Sequence, residues 1–298
     1  MNMNIYLYDP ETSNHLFIIE NIKYELKKHN INNVYITKDI IINENEINIY
    51  IIFVNLYFLT SNEKIKEDFK KLYTQKYKIL YITEPLNFDI EKKLYKNVIK
   101  NIKPNLIYTY SKGNYQNLKI PYLPLQRFYP ISRDYLFFTD LDIYHLKSRS
   151  TDKAIFLCKL NDYRTNVIQQ NNMEDKIEII DNCWLKEDWI DVIKENLFYL
   201  NIHRRKGCKC LELMRIIPIL YNGGVIVSSL VNEEEMNEFK AYNIYFCHEE
   251  EINNKLTELK NNINYEEIIN KAKLFRSKKN EDIQLLINYI NKIRDIKL

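Results

Sequence analysis

Glycine is nearly missing from this chain: four residues in 298, with Gly113 the only one before Gly207. No G-x-G-x-x-G follows the first apolar run, and no G-x-x-x-x-G-K-[ST] occurs. Such loops bring backbone amides against a pyrophosphate because glycine has no side chain in the way. Their absence argues against an NAD enzyme of the usual kind and against a P-loop kinase. Alanine is scarcer still, at three residues, so helix propensity says little and periodicity must carry the reading. The five cysteines (158, 183, 208, 210 and 247) form no even framework, which points to a reducing, cytoplasmic setting. Cys208 and Cys210 make a lone C-x-C, a weak metal signal without a second pair at ligand spacing. Charge of one sign is lacking too. Lys+Arg 43 against Asp+Glu 40 leaves +3, so neither a strongly basic nucleic-acid binder nor an acidic tail is expected. Residues 47–59 form the longest apolar stretch; Asn48 and Asn55 interrupt it, and it is too short to span a bilayer. Residues 1–10 have neither a basic region nor a small-residue cleavage site, so no secretory signal is expected.

What is abundant is asparagine, 38 residues, and tyrosine, 24. Both are scattered rather than blocked, and biased codon usage explains them most simply. Short apolar runs alternate with longer amphipathic ones. Strands are predicted at 4–8, 34–37, 47–54, 78–82 and 106–110, with helices at 14–28, 63–73 and 90–101. A proline-bearing extended stretch, IPYLPLQRFYP (120–130), breaks the pattern. It restarts with strands at 153–158, 176–180, 197–202, 225–227 and 244–247. Helices are predicted at 162–171, 184–195 and 208–220, and the chain from 249 onward reads as helical in three pieces. Strands separated by helices of this length imply parallel sheets. The pattern runs twice, which predicts two Rossmann-like lobes, 1–150 and 151–298, facing across a cleft. Residues 148–152 are the expected linker, and a last helix at 281–296 is expected to cross back to the first lobe.

Ligands of open α/β sheets sit beyond the carboxyl ends of the strands. In the first lobe, those positions hold Asp9, then His15 entering a helix, and Glu84. In the second they hold Lys159 and Arg164, then His203, Arg204, Arg205 and Lys206, then Ser228 and Ser229. Cations at helix N-termini make an anion site, and a nucleotide diphosphate offers more charge to match there than a lone carboxylate does. In CLELMRIIPIL, Glu212 and Arg215 interrupt a segment apolar nearly all round, three residues apart. One reading is a structural ion pair. The other is that Glu212 meets ribose hydroxyls while Arg215 meets phosphate or orients Glu212. Pro218 predicts a kink or irregular turn, and Gly223-Gly224 a helix stop.

The block LNIHRRKGCKCLELMRIIPILYNGGVIVSS (200–229) resembles the donor site of GT-B glycosyltransferases. It is most similar to the retaining, family-4-like group that includes spore-coat and viral glycosyltransferases. KAIFLCKLNDYRTNVI (153–168) resembles the first strand and turn of the same nucleotide-binding lobe, and IPYLPLQRFYP the segment closing the acceptor lobe. The resemblance implies a GT-B fold and transfer of a hexose from a nucleotide-sugar donor to an acceptor hydroxyl on a carbohydrate, glycan or protein. It implies no cofactor and no required metal. It assigns Arg164 and Arg215 to phosphate, His203 and Glu212 to the donor, and Ser228 and Ser229 to its edge; Lys159 joins them from the strand-end reading. The acceptor would bind the first lobe, with Asp9, His15 and Glu84 as candidate acid/base or acceptor contacts. Three departures stand out: the turn glycine is replaced around Cys158-Lys159, the acid after the serine strand end is Ser229, and the usual ribose-binding glutamate falls near Pro218.

Two other readings compete. A catalytically inactive GT-B relative would bind nucleotides or serve as a scaffold. A metal-dependent GT-A enzyme would use Asp140 and Asp142, a D-x-D after the apolar run 135–138. The acidic run Glu233-Glu234-Glu235 reads as a solvent-facing first turn of a helix, and Trp184 and Trp189 as core residues.

Overall fold

The computed structural model describes residues 2–10, 16–53, 62–84, 86, 88–114, 118, 125–127, 145–181, 186–277 and 281–295. It divides into two units. One comprises Met1–Tyr135 with Asn280–Leu298, and the other Leu136–Lys279.

The first unit opens with β1 (Met3–Tyr8), α1 (Leu16–Lys28), β2 (Val34–Thr37) and β3 (Ile47–Phe53). It continues with α2 (Glu63–Thr74), β4 (Tyr77–Ile82), α3 (Asp89–Ile102), β5 (Leu106–Thr109) and β6 (Leu125–Arg127). The sheet order is β2-β1-β3-β4-β5-β6, every pairing parallel. β3 and β4, in the middle of the parallel sheet, are buried at every residue, Asn48 and Lys78 included. Edge strand β2 is half exposed. On α2, Asn62 caps the N-terminus by accepting from the Lys64 amide at 3.0 Å, and Ile65, Phe69 and Leu72 face the core. Tyrosine fills much of this core: Tyr8, Tyr50, Tyr81, Tyr95 and Tyr108 are fully buried. A buried phenol needs a partner. Tyr8 donates to Asp68 at 2.9 Å and Tyr50 to the Ile41 carbonyl at 2.6 Å.

The second unit contains a 3₁₀ turn (Leu146–Ser148), β7 (Ala154–Leu157), α4 (Asp162–Gln170), β8 (Ile177–Ile180), α5 (Lys186–Glu195) and β9 (Phe198–Asn201). Then come α6 (Leu213–Tyr221), β10 (Val225–Ser229), α7 (Glu233–Phe239), β11 (Ile244–Cys247), α8 (Ile252–Asn261) and α9 (Tyr265–Ser277). Its all-parallel sheet runs β11-β10-β9-β7-β8. Helix α10 (Glu281–Asp295) ends the described chain and belongs to the first unit. The expected crossing of the last helix back to the first lobe is what the chain does.

Three local expectations change. The stretch 148–152, read as a linker, is bound into the second unit: Arg149 is buried and donates to the Asn222 carbonyl at 2.8 Å, and the Ser150 amide donates to the Glu195 carbonyl at 2.7 Å. Its charge finds carbonyls at the C-terminal end of α6, where the helix dipole favours a cation. The helix expected from 208 begins at Leu213. Gly207, at φ +79°, breaks the backbone, and 208–212 run as loop. Pro218 lies within this helix. Lastly, Glu235 does not face solvent. Its carboxylate is fully buried and accepts from the Leu211 amide at 2.9 Å and from Asn232 Nδ2 at 2.7 Å. Among the described residues, no helix is long and apolar enough to cross a membrane.

Candidate functional site

In the second sheet, β7 has β8 on one side and β9 on the other, so the chain reverses its direction of build between β7 and β9. Loops leaving these two strands diverge at that point and leave a crevice at the carboxyl edge. The loop after β7 carries Lys159 and Asn161 and leads into α4, whose first turn carries Arg164; the loop after β9 carries residues 202–212.

Asn161 ties the two loops together. Its Oδ1 caps α4 by accepting from the Arg164 amide at 3.0 Å, and its Nδ2 donates to the Arg204 carbonyl at 2.8 Å. Arg164 adds three more ties. Its Nε donates to the Ile202 carbonyl at 3.1 Å, Nη1 to the Lys159 carbonyl at 2.9 Å, and Nη2 to Glu212 Oε1 at 3.3 Å. The guanidinium is buried and lies 5.5 Å from the Phe156 ring centroid.

Glu212 is the hub. Its second oxygen pairs with Arg215 Nη2, three residues on, while Arg215 Nη1 donates to the Leu157 carbonyl at 2.8 Å. One carboxylate between two guanidiniums leaves the cluster with a net positive charge. Burial alone would raise the Glu212 pKa, but Arg215 and then Arg164 outweigh it and hold the carboxyl below its ordinary 4.5. Burial pulls the Arg164 pKa down and Glu212 opposes it; the guanidinium stays charged. Arg215 keeps 21% of its side chain exposed against 5% for Arg164. Arg215 is therefore the cation open to an incoming anion, and Arg164 the one that holds the loops.

His203 is not a cation here. It is 2% exposed, its Nε2 donates to the Leu230 carbonyl at 3.0 Å, and burial lowers its pKa below 6.5. Lys159, Arg204 and Lys206 are exposed. Ser228 Oγ accepts from Asn201 Nδ2 at 2.9 Å and donates to the Ser229 carbonyl at 3.0 Å, so it belongs to the strand end. Ser229 is buried, and its hydroxyl has no partner among the described residues.

The structure thus brings Arg164, Glu212 and Arg215 into one cluster, with Lys159 and His203 on the loops it binds. Sequence reasoning passed over Asn161 as a loop tie and Glu235 as the anchor of Leu211, one residue before Glu212. The signal for the second was present: Asn232 three residues before Glu235 is a helix-cap spacing, and Asn232 Oδ1 accepts from the Glu235 amide at 2.9 Å. In the first unit, Asp9 follows β1 and is buried, and its amide donates to the Thr37 carbonyl at 3.0 Å. Glu84 follows β4, and its carbonyl accepts from Asn114 Nδ2 at 3.1 Å. His15, Asp140, Asp142 and Trp184 lie outside the described residues, as does the side chain of Trp189.

No family model and no curated protein matches this sequence. Solved structures do. HepE of Anabaena, in crystals with UDP and glucose, is similar over 99% of this chain and 100% of its own, at TM-score 0.61 and 9% identity. A second HepE crystal, with UDP-glucose, matches at TM-score 0.61 and 10% identity over 97% and 100%. WaaG, a glycosyltransferase involved in lipopolysaccharide biosynthesis, matches at TM-score 0.57 and 8% identity over 97% and 99%. The chain has the two-lobed, Rossmann-like GT-B fold of these proteins.

Proposed function

We propose that this chain is a glycosyltransferase that takes a hexose from a nucleotide diphosphate and passes it to an acceptor hydroxyl. The observation that carries the reading is the Arg164–Glu212–Arg215 cluster at the point where the second sheet reverses its build. Nucleotides bind open α/β sheets at such points. Support also comes from HepE, whose crystals hold UDP-glucose on the same fold.

As the glycosidic bond to the diphosphate breaks, positive charge grows on the sugar and negative charge on the leaving group. Arg215 and Lys159 offset the second, aided by the N-terminus of α6. Glu212 holds Arg215 in place and keeps its charge fixed before the donor arrives. Arg164 keeps the two loops at one spacing. With these cations supplied by the chain, the transfer is proposed to need no metal. The acceptor, a carbohydrate, glycan or protein hydroxyl, is assigned to the carboxyl edge of the first sheet, where Asp9 and Glu84 lie and to which His15 belongs in sequence. Proton removal from that hydroxyl falls to one of these three.

The test is turnover of a panel of UDP- and GDP-sugars, followed as sugar release in excess EDTA. Consumption of one donor, lost in Arg215→Met, is the expected result. Dependence on added divalent cation would contradict metal independence. A second reading rests on Pro218 and Ser229, which stand where the resembling enzymes carry acids: nucleotide binding with no turnover of any donor would mark a non-catalytic relative.

A further inference from the structure

Two polar side-chain atoms at the carboxyl edge of the second sheet are buried and have no partner among the described residues: His203 Nδ1 and Ser229 Oγ. Buried polar groups are normally satisfied, so each such atom asks for an explanation. Three other buried orphans of this unit, Oδ1 of Asn171, Asn222 and Asn243, sit at the opposite edge, in turns that enter β8, β10 and β11. Each of those asparagines already donates through Nδ2, to the Val167, Pro218 and Ile268 carbonyls. His203 and Ser229 lie on neighbouring strand ends. The His203 ring is anchored to the carbonyl of Leu230, the residue after Ser229.

That anchor decides the tautomer. A carbonyl only accepts, so Nε2 carries the ring proton. A neutral imidazole has one N–H, which leaves Nδ1 as a lone pair. Burial favours this neutral form. A lone pair is repelled by a phosphate oxygen, which is itself an acceptor at neutral pH. In a nucleotide sugar the donors are chiefly the hydroxyls of its sugar rings.

Resting on the nucleotide-sugar reading above, we infer that His203 Nδ1 accepts a hydrogen bond from a hydroxyl of the bound donor, so that His203 reads the sugar part and not the diphosphate. Ser229 Oγ lies on the same edge as a second polar contact for it. His203 thereby becomes a specificity-determining residue, set apart from the cations that take the phosphates.

The experiment is ring-nitrogen NMR on the full chain with labelled histidine. In the free protein, Nε2 of His203 is protonated and Nδ1 is not; a protonated Nδ1 overturns the inference before any ligand is added. Saturating UDP-glucose moves the Nδ1 resonance and saturating inorganic pyrophosphate does not. Movement with UDP alone places the hydroxyl on the ribose, and movement only with UDP-glucose places it on the hexose. Calorimetry on the same samples separates the two layers. If neither these nucleotides nor GDP and its sugars bind, the donor reading falls and takes the inference with it. If they bind and Nδ1 stays still, as with a buried water held in both states, only the inference falls. His203→Gln keeps an amide for the Leu230 carbonyl but loses the Nδ1 acceptor. It is expected to weaken UDP-glucose binding about tenfold while leaving pyrophosphate affinity within about twofold. Unchanged UDP-glucose affinity would count against the role.

Discussion

Arg164 Nε donates to the Ile202 carbonyl at 3.1 Å, so a side chain rising from the first turn of α4 closes the turn that follows β9. The same guanidinium reaches the Lys159 carbonyl and Glu212. Loss of this residue is therefore a folding defect first. Arg164→Met leaves Glu212 half-paired and removes the donor to the buried Ile202 carbonyl and to the Lys159 carbonyl. It is expected to cost about 3–5 kcal/mol in urea denaturation. Arg215→Met, at the more exposed end, is expected to cost under about 2 kcal/mol and to weaken nucleotide binding at least about tenfold. Equal stability losses for the two would mean that the cluster is one structural ion network.

Acid should act on this unit in two steps. His203 has its folded pKa lowered below 6.5, so the unfolded chain takes up that proton first, and stability falls as pH drops below about 6.5. Glu212 is also lowered, from 4.5, so its contribution is present above that value and is lost as pH falls through the folded one. His203→Gln should flatten the first step and Glu212→Gln the second. Denaturation midpoints taken from about pH 7.5 to 3 give both slopes. A Glu212→Gln curve as steep as wild type below about pH 4.5 would contradict the paired carboxylate.

Glu235 holds the loop that delivers Glu212. Its buried carboxylate serves the Leu211 amide and Asn232, which in turn donates through Nδ2 to the Lys209 carbonyl at 2.9 Å. Glu235→Ala is expected to cost about 2–3 kcal/mol, and Glu235→Gln less, since Gln Oε1 still accepts from Leu211. Hydrogen exchange at the Leu211 amide should rise in the alanine variant and remain slow in the glutamine one.

Two glycines of the second unit carry different constraints. At Gly224 an added Cβ would lie 2.4 Å from Ile219 Cγ2 and 2.9 Å from Tyr199 Cε2. Gly224→Ala is expected to destabilise by about 1–3 kcal/mol through forced repacking. At Gly207 nothing lies within 4 Å, but φ is +79°. Gly207→Ala is expected to cost only about 1 kcal/mol, from backbone strain alone. Thermal unfolding of both variants sets them apart, and an equal shift would contradict the steric account.

Much of this architecture was legible because parallel strands buried on both faces leave continuous apolar runs, as at Ile49–Phe53 in the middle of β3. The site was legible where a charge interrupts such a surface: Glu212 and Arg215 stand out in an apolar segment, and they pair. The failures have one cause. Periodicity registers which residues are apolar, not where backbone amides and carbonyls need partners. Cys208, Cys210 and Leu211 are buried, so 208–212 read as helix, yet they form a loop latched by Glu235. Arg149 read as solvated linker, yet it serves a helix-end carbonyl. His203 read as one of four basic residues in a row, yet burial against strand ends distant in sequence lowers its pKa, while the Leu230 carbonyl only holds Nε2.

The central claim is that the carboxyl edge of the second unit grips a nucleotide diphosphate through Arg215. Isothermal titration of UDP and GDP into wild type and Arg215→Met tests it most directly. The account predicts saturable binding of at least one nucleotide by wild type, at least about tenfold weaker in a variant that is still folded. No binding of either nucleotide, or equal affinity in both proteins, would contradict it.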